Sequence, residues 1–353
     1  MIWKIPNQTA KKHEILESYL AAWFPILRTT SNELLYIDGF AGPNEYIGGI
    51  AGSPQIAVDA AAANSRLYAN HRITLLFNEQ DKRRFKKLEQ WASNEGTKVP
   101  GYLNIKVTNK TFSDLARSVI ASKKFREDPA VFAFIDPFGF SGVPMDLLAQ
   151  LASNRRSELL ILFAFDSINR FSTSSQVDNS LLTLFGCAEF KYAPVGDSQQ
   201  RKAYLLDLYE RQLREVCHFN YISRFEMIRS DGKTSYFLFH CTRNLRGLEK
   251  FRDTVWKADP VSGQRFSARG TLDGALFGSE QWINLDREIL EYFSGQEVST
   301  ETLEEFVLKQ TPYKLSHLRK YGLIPLQDKG LLSAINQKRR HTFPKGTRMI
   351  INP

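Results

Sequence analysis

Cysteine is scarce. Three thiols, Cys187, Cys217 and Cys241, stand far apart in 353 residues, with no C-x-x-C pair among them. An odd, scattered set speaks against a disulfide framework and against a cysteine-bound zinc, so no metal is expected. Reduced thiols of this kind suit the cytoplasm. Long apolar runs are missing as well. The most apolar stretch, 159–165, falls far short of the roughly 20 residues that span a bilayer, and no membrane contact is expected. The opening MIWKIPNQTAKKHEIL lacks the apolar stretch of a signal peptide. There is no internal repeat and no low-complexity tract. A full G-x-G-x-x-G is also absent, which argues against a dinucleotide-dependent enzyme.

What the chain has in excess is positive charge. Forty-seven Lys and Arg against 38 Asp and Glu give a net charge of +9. Such a balance favours a polyanionic partner, here nucleic acid, RNA or DNA. The apolar share of 42% and charged share of 24% are those of an ordinary globular protein, and the length is comfortable for two domains.

Periodicity predicts a helix over 10–28, with Ile15, Leu16, Tyr19, Leu20 and Trp23 on one face. A strand over 34–37 then runs into a glycine-bearing loop. Ser53-Pro54 opens a second helix, Ser as cap and Pro in the first turn. The alternation continues with strands at 73–77, 105–107, 131–135 and 159–165, and with helices at 81–91, from about 113, and at 145–152. Strand and helix in turn imply a mainly parallel sheet with crossover helices. Residues 166–220, Ser-rich at 172–175 and helical over 201–216, read as a helical insertion. Strands at 222–228 and 235–241 would close the sheet antiparallel, before a helix over 245–256. Residues 258–279, rich in Gly, Ser and Asp, suit a linker. Beyond it, helices at 282–293, from 299 and over 312–321 precede strands near 331–337 and 347–351. Three helices and a basic hairpin are the plan of a winged helix. The expected division is 1–265 for the α/β domain and 280–353 for the winged helix.

In an open parallel sheet, ligands bind at the carboxyl ends of the strands. Three segments fall at such ends. Asp38-Gly39-Phe40-Ala41-Gly42-Pro43-Asn44 couples an acid to small residues that let backbone pass close to a ligand. Glu79 ends the next strand, where a carboxylate can accept two ribose hydroxyls. Asp136-Pro137-Phe138-Gly139 ends a third, with an acid or backbone carbonyls for an amine and an aromatic for a base. A fourth segment, Lys11-Lys12-His13, opens the first helix and reads most simply as a solvated charge cluster.

Together these residues resemble the three-Cys-motif partner protein (TcmP) family. The likeness is carried by Lys12-His13-x-Ile15-Leu16, Tyr36-Ile37-Asp38-Gly39-Phe40-Ala41-Gly42-Pro43, Tyr46 and Gly52-Ser53-Pro54. It continues through Asp136-Pro137-Phe138-Gly139, Tyr236-Phe237-Leu238-Phe239, Gly247-Leu248, Thr311-Pro312-Tyr313 and Arg339-Arg340-His341-Thr342-Phe343-Pro344. The N-terminal half is similar, more distantly, to adenine-N6 methyltransferases of large-subunit ribosomal RNA. These resemblances imply a class I, Rossmann-like α/β fold and S-adenosylmethionine as cofactor. They place Lys12, His13, Asp38, Gly39, Phe40, Ala41, Gly42, Ser53, Glu79 and Thr111 at the cofactor, and Asp136, Pro137 and Phe138 at the reacting amine. Three positions depart from the pattern. Asn44 replaces a glycine, Thr111 stands where an acid would face adenine, and Phe138-Gly139 replaces Pro-Tyr. The implied function is methylation of an exocyclic, adenine-like amine of a nucleic acid. Lys338, Arg339, Arg340, His341, Lys345 and Arg348 would meet phosphates. The alternative is a catalytically altered module that works beside a three-Cys-motif protein in a defence or modification complex.

Overall fold

The apolar run between Glu33 and Asp38 becomes the strand around which the first part of the molecule is ordered. The computed structural model describes residues 5–63, 65–68, 70–171, 175–268 and 283–353. Strands β1 (Glu33–Asp38), β2 (Arg72–Asn78), β3 (Leu103–Thr108), β4 (Ala130–Ile135), β5 (Ser157–Phe163), β6 (Tyr221–Ile228), β7 (Thr234–Thr242) and β8 (Arg265–Ser267) form one sheet, ordered β3-β2-β1-β4-β5-β7-β6-β8. The first five strands are parallel, and β7 runs antiparallel to both β5 and β6. This is a Rossmann-like α/β sheet with an antiparallel end.

Helices α1 (Asn7–Leu27), α2 (Ser53–Ala62), α3 (Lys82–Gly96) and α4 (Phe112–Ala121) alternate with the strands. Every residue of β4 and β5 is buried, because helices cover both faces of a parallel sheet. That is why these strands read as unbroken apolar runs. Polar residues stand only at the start of β5, Ser157 and Glu158. Glu158 lies inside β5, where its carboxylate accepts hydrogen bonds from Tyr19 (2.6 Å) and Thr242 (2.8 Å). Helices Phe165–Phe171, Asp178–Phe185 and Ser198–Glu215 fill the insertion between β5 and β6. The Ser-rich 172–174 lies outside the described residues.

Chain order fixes the crevice. From β1 the chain moves outward to β2 and β3, then returns to lay β4 against the other side of β1. The loops after β1 and β4 therefore leave in opposite directions, and the gap between them is where open α/β sheets take ligands.

The chain divides into two compact units, Met1–Gly247 with Phe266–Ala268, and Leu248–Arg265 with Arg269–Pro353. In the second, Trp256 donates to the Pro312 carbonyl (2.9 Å) and packs edge-on against His317. Helix Leu285–Phe293 precedes β9 (Glu297–Ser299), and helix Thr300–Gln310 starts with Ser299 accepting from the Thr302 amide (3.1 Å). The expected third helix is broken into Leu315–His317, a π-helical stretch Leu318–Leu323 and Ile324–Asp328. A hairpin of β10 (Leu332–Ala334) and β11 (Arg348–Ile351) follows, and β9 completes a sheet ordered β10-β11-β9. The start of the helix expected at 282 and residues 269–279 of the expected 258–279 linker lie outside the described residues.

Candidate functional site

The loop after β1 is built around Asp38. Its carboxylate accepts hydrogen bonds from the Phe40 amide (3.1 Å) and the Ser53 hydroxyl (2.6 Å), tying β1 to the start of α2. Complete burial pushes the Asp38 carboxyl up to about 7. Gly39 has no room for a side chain, since a Cβ there would stand 2.8 Å from the Phe112 ring. Gly42 (φ 65) and Asn44 (φ 61) both take left-handed backbone, so Asn serves where the resembled family carries glycine. The Asn44 side chain also accepts from the Gln55 amide (3.0 Å) in the first turn of α2.

The loop after β4 faces α1. Lys12 reaches across to form an ion pair with Asp136, and its ammonium lies 5.9 Å from the ring centroids of Phe134 and Tyr236. The expected solvated cluster is thus only partly solvated: Lys12 and His13 are both buried. Burial, followed by the charge of Lys12, lowers His13 to about 3, so the ring is neutral at pH 7. Its Nδ1 is buried without a hydrogen-bond partner among the described residues. An unpartnered ring nitrogen is costly unless something meets it.

These groups line a cavity of about 270 Å³. Phe40 to Glu45, Asp136 to Phe138, and Asp166, Ser235 and Tyr236 are among its lining residues. The lining carries three carboxylates: Asp136 pairs with Lys12, Asp166 pairs with Arg170 (2.7 Å) and Arg229 (3.2 Å), and Glu45 makes no ion pair among the described residues. Glu45 is thus the carboxylate placed to meet a cationic part of a ligand. Phe138 stands 70% exposed at this cavity, an aromatic face open to solvent.

Not every expected residue reaches the cavity. Asp38 and Gly39 lie beneath it and act through the loop they hold. Glu79 is buried outside the lining. Its Oε1 accepts from the Asp81 amide (2.7 Å) and pairs with Arg84 (3.0 Å). Thr111 is exposed, and its hydroxyl accepts from the Asp114 amide (3.1 Å) as the cap of α4. Two residues escaped the sequence reading. Arg84 links Glu79 to the other loop, its guanidinium 4.6 Å from the Phe138 ring centroid. Asn78 donates to the Gly39 carbonyl (3.2 Å) and to the Lys110 carbonyl (3.0 Å), bracing the glycine loop from the next strand. A polar residue ending an apolar strand was the available signal for Asn78.

No protein-family model matches the chain, and no curated protein matches its sequence. Solved structures do match, loosely. A putative methyltransferase, yhhF, from Escherichia coli is 13% identical over 65% of this chain and 86% of that one, with a TM-score of 0.26. A SAM-dependent methyltransferase from Methanosarcina mazei is 13% identical over 60% and 92%, with a TM-score of 0.28. A putative sarcosine dimethylglycine methyltransferase from Galdieria sulphuraria is 12% identical over 65% and 85%, with a TM-score of 0.29. Likenesses this loose transfer no residue's role.

The basic residues expected at phosphates lie on the second unit. Arg340 and His341 both pair with Asp328 (2.6 and 2.8 Å), and Arg348 pairs with Glu297. Lys338, Arg339 and Lys345 are exposed and make no ion pair among the described residues. Among those residues no His, Cys, Asp and Glu group is fit to hold a metal ion, and no helix is long and apolar enough to cross a membrane.

Proposed function

We propose that the chain is an S-adenosylmethionine-dependent methyltransferase acting on an exocyclic, adenine-like amine of a nucleic acid. The observation that carries this reading is the acid-lined cavity at the β1/β4 crevice, with exposed Phe138 at its side. The group fits the cavity by charge at Glu45, which makes no ion pair among the described residues and can meet a sulfonium or an ammonium. Phe40 to Asn44 would border it, and Glu79 would take its ribose only if Arg84 yields one carboxylate oxygen. When bound, the cofactor supplies an electrophilic methyl.

The chain's own residues would position the acceptor. Asp136 and the backbone beside it accept N–H bonds from the amine, aiming the nitrogen lone pair. Lys12 fixes the Asp136 carboxylate. Phe138 stacks on a base that is single-stranded or flipped out. The second unit, read as a winged helix from its helix and strand order, would add phosphate contacts through Lys338, Arg339 and Lys345. Arg340, His341 and Arg348 would have to leave their carboxylates first.

One observation favours a second reading, a non-catalytic module beside a three-Cys-motif protein of the kind the sequence resemblance suggests. Both key acids are already held by this chain's own cations, Asp136 by Lys12 and Glu79 by Arg84. Labelled methyl transfer to RNA and DNA pools separates the two. The catalytic reading expects transfer by the wild type and a loss of at least about 100-fold in Asp136→Ala, with cofactor binding retained. Transfer unaffected by Asp136→Ala removes the catalytic assignment, and no transfer to any pool favours the module.

A further inference from the structure

We propose that the exposed basic face of α3 is the docking track for a single-stranded polynucleotide, leading its bases to the cavity beside Phe138. The inference rests on the nucleic-acid methyltransferase reading and gives that reading a binding surface in the first unit.

The first two turns of α3 carry Lys82, Arg83, Arg84, Lys86 and Lys87 with no acid between them. Arg84 turns inward to Glu79. Lys82, Arg83, Lys86 and Lys87 are exposed and form no ion pair among the described residues. Asp81, the nearest acid, instead accepts from the Arg83 and Arg84 amides as the helix cap (3.0 and 2.9 Å). Their spacing puts the four side chains on one side of the helix, away from buried Leu88 and Ala92. Lys82 with Lys86 and Arg83 with Lys87 are like-charged pairs one turn apart, which weaken a helix. Cations in the first turns also oppose the helix dipole. A helix that only packed against the sheet would gain nothing from this arrangement, whereas a polyanion laid along it removes both penalties. The contrast with the C-terminal hairpin is direct, since two of its five Lys and Arg residues, Arg340 and Arg348, are already paired with acids of their own unit.

The track leads to the cavity. Lys87, Gln90 and Trp91 line a cleft of about 480 Å³ whose far wall includes Pro43, Asn44 and Glu45. Those three residues also line the main cavity. Between α3 and the target loop stands Arg84, against the Phe138 ring. Phosphates along Lys82, Arg83, Lys86 and Lys87 would therefore leave a base free to lie on Phe138. Only a strand with unpaired bases can offer one without unstacking a duplex.

The test measures fluorescence anisotropy of a labelled, adenine-rich single-stranded oligonucleotide against the full chain over a series of salt concentrations. The variants are Lys82→Ala/Arg83→Ala/Lys86→Ala/Lys87→Ala and Lys338→Ala/Arg339→Ala/Lys345→Ala. Each lost phosphate contact should flatten the log–log salt slope by about 0.7. The α3 variant should flatten it by up to about 3 and weaken low-salt binding at least about tenfold. The hairpin variant should change the slope less. An α3 variant with the wild-type slope overturns the proposal, as does displacement of the strand by polyglutamate at equal charge or equal affinity for a duplex. S-adenosylmethionine should raise the melting temperature of wild type and α3 variant alike. If the strand binds through α3 but S-adenosylmethionine has no effect on either protein, the docking surface stands and the methyltransferase reading falls.

Discussion

Asp38 is wholly enclosed, with one oxygen on the Phe40 amide and the other on the Ser53 hydroxyl, and its carboxyl is pushed up to about 7. In the unfolded chain it titrates near the ordinary 3.8. Between these values the folded chain keeps a proton that the unfolded chain has released. The stability this gives is fully present below the unfolded value and is lost as the pH rises through about 7. Asp38→Asn keeps an acceptor for Phe40 and removes the titration. Its melting temperature should therefore fall less than that of the wild type between pH 5 and about 8. Parallel curves for the two proteins would show that Asp38 does not titrate in this range. The consequence for function is indirect. Asp38 shapes the wall formed by Phe40 to Asn44, and its loss should weaken cofactor binding by loosening that loop.

At the scale of elements, the helix after β7 begins with a close approach. A Cβ on Gly247 would stand 2.6 Å from the Glu158 carboxylate and 2.9 Å from the Thr242 hydroxyl. Gly247→Ala should destabilise the chain by about 1–3 kcal/mol, the usual cost of forcing atoms into a filled interior. Denaturant unfolding measures it, and a change within experimental error would mean that Glu158 can move aside. The parallel strands were legible in the sequence for the same reason that their interior is crowded. Val131 to Ile135 and Leu159 to Phe163 are apolar without interruption because both faces are covered. Strands β8 and β9, three residues each, are too short for any period to appear. The π-helical stretch before Pro325 leaves the apolar spacing of 312–321 helix-like and so stayed hidden. In the site, strand-end acids were readable as such, but their partners were not. Lys12 lies 124 residues from Asp136, and the grip of Arg84 on Phe138 depends on α3 meeting the loop after β4 in space. No local pattern predicts that a carboxylate will be held by a cation from another element.

Across the whole molecule, the net charge of +9 is unevenly used. Arg340 and Arg348 of the C-terminal hairpin are balanced by Asp328 and Glu297, while Lys82, Arg83, Lys86 and Lys87 of α3 make no ion pair among the described residues. The cavity itself presents a carboxylate, Glu45, that makes no ion pair among the described residues. A basic exterior beside an acidic pocket suits a polyanion outside and a cationic group within. The most direct test of the pocket is calorimetric titration of the full chain with S-adenosylmethionine, with NAD as the comparison. Saturable one-to-one binding of S-adenosylmethionine and no heat from NAD is the predicted result. Binding of NAD in its place, or no binding of S-adenosylmethionine at millimolar concentration, would contradict it.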